Sequence, residues 1–191
     1  MIGGGFPAGL LLLGGSRTKV VYLESRWLSP VPRYLQRGLT IAVVEVSGVR
    51  VAVANMHLDL YPAGRRRHIR EILARVERVQ RQYGCPVVLA GDVNEGPGGP
   101  TWRALVRRFQ DAYAAAPCGG AATLPAARPR ARIDGIFASA DVGVCGCGVP
   151  DIPGTAQASD HRPVLADLAL SRQPPRHDIA PSRRLLAGSL A

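Results

Sequence analysis

The sequence predicts an α/β domain with mixed β-sheets. Three features carry that expectation: β-branched runs of strand length, an amphipathic helical stretch between two of them, and a two-residue turn that joins two others as a hairpin. Strand–helix–strand units favour parallel pairing, and a hairpin forces antiparallel pairing, so both kinds are expected in one sheet. At 191 residues the chain can bury one well-packed core. Residues 1–170 are therefore expected to form one domain. Residues 171–191 are polar and Pro/Arg-rich and are expected to be a mobile tail.

In chain order, residues 18–24 (TKVVYLE) read as a strand and the Pro/Arg/Ser-rich 25–38 as a loop. Residues 39–46 and 49–56 are two β-branched runs around Ser47-Gly48, the hairpin turn. The first run is nearly all apolar, so burial on both faces is expected. Residues 63–82 read as a helix: Ile69, Ile72, Leu73, Val76 and Val79 share one face, and arginines fill most of the rest. Gly84 and Pro86 stop it. Residues 86–90 form a short buried strand, and 95–100 a Gly/Pro loop. Pro100 opens a helix through about Tyr113, with Leu105, Val106 and Phe109 facing inward. Residues 114–131 read as a long loop, and 132–138, 141–147 and 164–170 as strands.

Net charge is +10, with Arg far ahead of Lys, which suits a polyanionic partner but names none. The arginine face of the 63–82 helix is expected to be a solvated surface, with polyanion binding the functional alternative. Cys85, Cys118, Cys145 and Cys147 match no zinc spacing and are too few for a disulfide scaffold, so they read as buried or incidental thiols. No apolar run approaches the ~18 residues that span a bilayer. Leu10–Leu13 lacks the positive flank and cleavage site of a signal peptide; a cytoplasmic location is expected, with secretion left open.

Polar residues interrupt the apolar runs at four strand ends: Asn55-Met56-His57-Leu58-Asp59, Gly91-Asp92-Val93-Asn94, Arg132-Ile133-Asp134-Gly135-Ile136-Phe137 and Ser159-Asp160-His161-Arg162-Pro163. Singly, each suits a turn or a structural histidine. Together they supply what metal-assisted phosphoester hydrolysis needs. Carboxylates hold a hard cation and activate water, and a histidine stabilises an oxygen of phosphorus.

In this order, the four segments resemble the endonuclease/exonuclease/phosphatase family. G-D-x-N is matched at Gly91–Asn94, R-I-D-x-I-F at Arg132–Phe137 and S-D-H-x-P at Ser159–Pro163. The T-x-H position is matched at Asn55–His57, with Asn where Thr is usual. The resemblance implies a DNase I-like four-layer α/β sandwich with two mixed β-sheets packed face to face. It implies divalent-metal-dependent phosphoester hydrolysis (phosphodiesterase, nuclease or phosphatase) by in-line attack of water, with Mg²⁺ or Mn²⁺ as cofactor and nucleic acid among the candidate substrates. Catalytic roles carry over to His57, Asp92, Asn94, Asp134 and His161. Asp92 activates the water, Asn94 holds the phosphoryl group and His161 binds a non-bridging oxygen. Asp134 orients His161 and His57 contacts the phosphate. Asp160 becomes a metal ligand.

The family pattern also has an upstream strand ending in Asn and a Q-E segment whose Glu is the principal metal ligand, and neither precedes His57 here. Residues 3–16 look like the G-x-A-x-L-S strand that follows that segment. The resemblance thus aligns with roughly the last two-thirds of a family domain, so the domain is expected to be N-terminally incomplete. Glu24 and Glu45, the acidic residues before His57, lie inside predicted strands and are not expected to substitute. A start site placed too late is the favoured explanation; a compact variant or a degenerate, non-catalytic polyanion-binding domain is the alternative.

Overall fold

A computed structural model describes Leu12 and residues 14–171 of the chain. Most of the segment likened to the G-x-A-x-L-S strand and all but one residue of the expected tail lie outside the described residues.

Strands β1 (Thr18–Trp27), β2 (Gly38–Val46) and β3 (Val49–His57) form an antiparallel meander. The β2–β3 turn is the expected Ser47-Gly48, both at positive φ (51° and 78°), the pair of values a type I′ hairpin requires. Helix α1 (Pro62–Tyr83) then crosses over to β4 (Val87–Asp92), which pairs parallel with β3. Strands β6 (Asp134–Ala138) and β5 (Gln110–Asp111) complete a six-stranded mixed sheet of order β1-β2-β3-β4-β6-β5. A second sheet is the antiparallel pair β7 (Val142–Gly148) and β8 (Leu165–Leu170). The expected two-sheet α/β architecture is present.

Side chains alternate between the faces of a strand. Leu39, Ile41 and Val43 of β2, Ala52, Ala54 and Met56 of β3, and Val87 and Leu89 of β4 share one face, and they join Ile69, Ile72, Val76 and Val79 of α1 in the core. Each burial in that helix stripe agrees with the 3.6-residue period. The arginines of α1 are not uniformly solvated. Arg65 is buried against Glu95 and the carbonyls of Asp59 and Leu60, and Arg75 binds Glu24 of β1. Arg66, Arg67, Arg70 and Arg78 are exposed as expected.

Two elements end elsewhere than expected. Strand β1 runs to Trp27 because Arg26 and Trp27 still pair with Leu39 and Gly38, so the loop is only 28–37. The helix expected from Pro100 to Tyr113 ends at Val106 (α2, Pro100–Val106). It gives way to β5 and a single turn, α3 (Ala112–Ala115), because Asp111 caps that turn through Tyr113 and Ala114 N–H and also binds Trp102 Nε1 (3.0 Å) and Arg132. With the helix broken, Val106 lies 42% exposed rather than inward, while Leu105 and Phe109 are buried. All four cysteines are free; Cys85 and Cys147 are buried, and Cys118 and Cys145 are exposed.

Candidate active site

Register builds the site. His57 pairs with Asp92, and Asp92 pairs with Asp134, so three adjacent strands present these side chains in one row at one end of the sheet. Period-two alternation puts that row on the face opposite α1. The residues one step back, Met56, Gly91 and Gly135, face the helices. Gly91 has φ +143°, and a Cβ there would collide with the Met56 carbonyl, so the motif glycine is what lets β3 and β4 close up beside the row.

Beyond β4 the chain turns at Asn94 (φ 53°), a left-handed conformation that Asn tolerates. Asn94 N–H donates to Asp92 Oδ1 (2.7 Å), and Asn94 Nδ2 donates to the Leu58 carbonyl (2.9 Å). The fourth motif comes from a loop ahead of β8 that also carries a short helical turn, α4 (Thr155–Ala158). Ala126 N–H donates to the Asp160 carbonyl, Arg162 N–H to the Thr123 carbonyl, and Arg162 Nε to the Ala126 carbonyl (2.6 Å). The 114–131 loop therefore anchors the segment that carries His161. His161 Nδ1 donates to Asp134 Oδ2 at 2.8 Å, joining the loop to the row.

Asp92, Asp134 and His161 each offer a ligand atom, all within 4.8 Å of one another. Two carboxylates suffice for a divalent cation that keeps water and substrate oxygens in its remaining positions, so the donor set fits Mg²⁺ or Mn²⁺. Asp160 is exposed, its carboxylate accepts a hydrogen bond from Ser159 Oγ (3.3 Å), and it stands outside this cluster. All five glutamates of the chain are engaged elsewhere. Glu24 binds Arg75 and Tyr22, and Glu45 binds Arg50. Glu71 accepts from Ser29 N–H, Glu77 pairs with Arg108, and Glu95 pairs with Arg65 and receives the first N–H groups of α2.

Electrostatics separate the roles of these groups. Burial pushes the Asp92 carboxyl up to about 6, against the hydrogen bond from Asn94 that favours its anion. Burial, with the neighbouring Arg37 cation, pushes His57 down to about 4, so its imidazole is neutral at pH 7. For His161 burial disfavours the cation, but the hydrogen bond and charge of Asp134 outweigh it and raise the pKa.

Arg37 belongs to no motif. It ends the 28–37 loop, and its Nη1 lies 2.9 Å from His57 Nε2, which is itself 3.3 Å from Asp92 Oδ2. Its Nε is buried without a partner among the described residues. Only the strand register could have found it, because it adjoins Gly38, one step beyond the Leu39–Met56 pair and so beside His57. Arg132 sits within the third motif but serves the scaffold: it pairs with Asp111 and stacks on the Trp102 and Tyr113 rings (4.9 and 4.8 Å).

The model of the endonuclease/exonuclease/phosphatase family matches residues 12–161. Among solved structures, an endonuclease/exonuclease/phosphatase from Bacteroides vulgatus is 26% identical, with TM-score 0.69 over 81% of this chain and 67% of that one. A mannosyl-6-phosphatase from Bacteroides thetaiotaomicron is 21% identical, with TM-score 0.72 over 81% and 68%. The human Nocturnin catalytic domain with bound sulfate is 17% identical, with TM-score 0.64 over 81% and 61%. At the last two identities the likeness is one of fold. A comparison with curated proteins finds no match.

Proposed function

This chain belongs to the endonuclease/exonuclease/phosphatase family, and from that premise we propose that it is a divalent-metal-dependent phosphoester hydrolase that directs water in line at phosphorus. The observation that carries the reading is the His57–Asp92–Asp134 row with His161 docked on Asp134 at 2.8 Å. Two carboxylates near the ordinary pKa would not differ in role. Here one is buried and raised to about 6, the range of a base that works near neutral pH, and the other is committed to an imidazole.

Asp92 takes the proton of the attacking water. The Asn94 backbone N–H holds Asp92 in position, and Asn94, its Nδ2 tied to the Leu58 carbonyl, borders the phosphoryl group. His161, its Nδ1–H tied to Asp134, offers Nε2–H to a non-bridging oxygen. Neutral His57 and the Arg37 guanidinium line the same end of the row, where the cation meets phosphate charge. The Asp92–Asp134–His161 cluster would hold Mg²⁺ or Mn²⁺, which when bound offsets charge on the departing oxygen; exposed Asp160 stands outside it.

The test is Mg²⁺- or Mn²⁺-dependent release of phosphate or alcohol from a panel of phosphomonoesters, phosphodiesters and oligonucleotides. Asp92→Asn and His161→Ala should each lower kcat by about 10²–10⁴ while leaving the circular dichroism unchanged. Turnover that ignores either substitution would remove the assigned roles. One observation favours a second reading, a polyanion-binding domain without turnover: no glutamate of the chain reaches the cluster. A Mn²⁺ titration followed by paramagnetic broadening decides between them. Site-linked broadening at His161 supports hydrolysis, and its absence supports the binding domain.

A further inference from the structure

Ten large hydrophobic side chains are exposed among the described residues, and five of them crowd one end of the molecule: Trp27, Tyr34, Leu35, Leu60 and Tyr61, between 47% and 79% exposed. Single exposed apolar residues need no explanation, but a cluster at the mouth of a polar site does. Tyr34 and Tyr61 stack on each other, with ring centroids 5.9 Å apart and planes 13° from parallel. Their backbones lead straight into the site. Tyr34 is three residues before Arg37, which contacts His57. Tyr61 is three residues after Leu58, whose N–H donates to the Asp92 carbonyl and whose carbonyl accepts from Asn94. Three extended residues reach at most about 10 Å, so the backbones of the pair start within about that distance of residues that contact the row. Trp27 belongs to the same strand end, paired with Gly38.

Charge selects among flat ligands. Arg33 and Arg37 lie one and three residues from Tyr34 in the chain and Arg66 five from Tyr61, and none of the three forms an ion pair among the described residues, whereas Arg65, Arg67, Arg75 and Arg81 of α1 do. A sugar phosphate brings one anionic group. A polynucleotide brings a phosphate per base, and exposed aromatics set among unneutralised cations match that alternation.

Resting on the hydrolase reading above, we infer that Tyr34 and Tyr61 form an aromatic subsite that stacks an unpaired base of a single-stranded nucleic acid whose phosphate lies on the catalytic row. The full chain is titrated by fluorescence anisotropy with a labelled single-stranded 8-mer oligonucleotide and with an 8-mer of identical phosphates built from base-free residues. The native chain should bind the base-bearing strand roughly 5- to 100-fold more tightly. Tyr34→Ala/Tyr61→Ala should abolish that preference, with base-free binding unchanged. Tyr34→Phe/Tyr61→Phe should keep it, since the ring rather than the hydroxyl stacks. Equal binding of both strands by the native chain, a preference that survives in the double alanine variant, or no binding to either strand overturns the subsite. Base preference with no cleavage under any metal supports the subsite and removes the hydrolase. Cleavage with no base preference removes the subsite alone.

Discussion

Replacing Gly91 by alanine should damage this protein more than the same change at the turn glycine Gly48. Two costs combine. At φ +143° a residue with a Cβ is strained by roughly 1–3 kcal/mol. The added methyl also meets the Met56 carbonyl, which is backbone and cannot rotate aside. Relief requires β3 and β4 to part at the Met56–Gly91 pair, weakening neighbouring bonds such as Leu58 N–H to Asp92 O (2.9 Å) at about 1 kcal/mol each. The sum is roughly 3–5 kcal/mol, or a Tm lower by about 6–20 °C for a chain of this size. Gly48→Ala is the internal control. Its φ is +78° with nothing within reach of a Cβ, so strain alone, about 1 kcal/mol, is expected. Denaturant unfolding followed by circular dichroism measures both. Equal losses in the two variants would show that the Met56 contact does not decide why glycine stands there.

Asp92→Asn should stabilise the fold at pH 7 by about 1–3 kcal/mol even as it removes turnover. A carboxyl raised from 3.8 to about 6 favours folding below its unfolded pKa and loses that contribution as pH rises through 6, so the ionised group at neutral pH is a burden that Asn lacks; a higher Tm below pH 4 only would refute this. Asp134→Asn should lower the His161 pKa, read from its ring proton shifts, because the hydrogen bond and charge that raise it are gone. Glu24 is held below its usual pKa by Arg75 and Tyr22 against the pull of burial, so its contribution is full above about pH 4.5 and lost as pH falls through the lowered value. Arg75→Met should therefore destabilise by about 1–2 kcal/mol at pH 7 and progressively less as pH falls through that lowered value, and a pH-independent loss would assign the effect to packing. Leu105→Ala should cost about 2–5 kcal/mol and Val106→Ala under about 0.5, since only the first is buried.

The sequence alone determined what local chemistry determines. Period-two and period-3.6 patterns located β2, β3, α1 and β4 to within two residues, and Ser47-Gly48 announced its own turn, because these signals depend on neighbours in the chain. The four polar segments were legible for the same reason: each is a short interruption of an apolar run. What lay beyond sequence was every feature made by residues distant in the chain. The helix after Pro100 stops at Val106 because Asp111 is bound by Trp102 and Arg132, and propensity contains no trace of that. Arg37 joins the site only because β2 and β3 bring the end of a Pro-rich loop beside His57. Glu95 adjoins a catalytic motif, yet its carboxylate is taken by Arg65 and the start of α2. Residues identify which groups can do chemistry, but strand register, which sets neighbours across the sheet at about 5 Å, decides which of them meet.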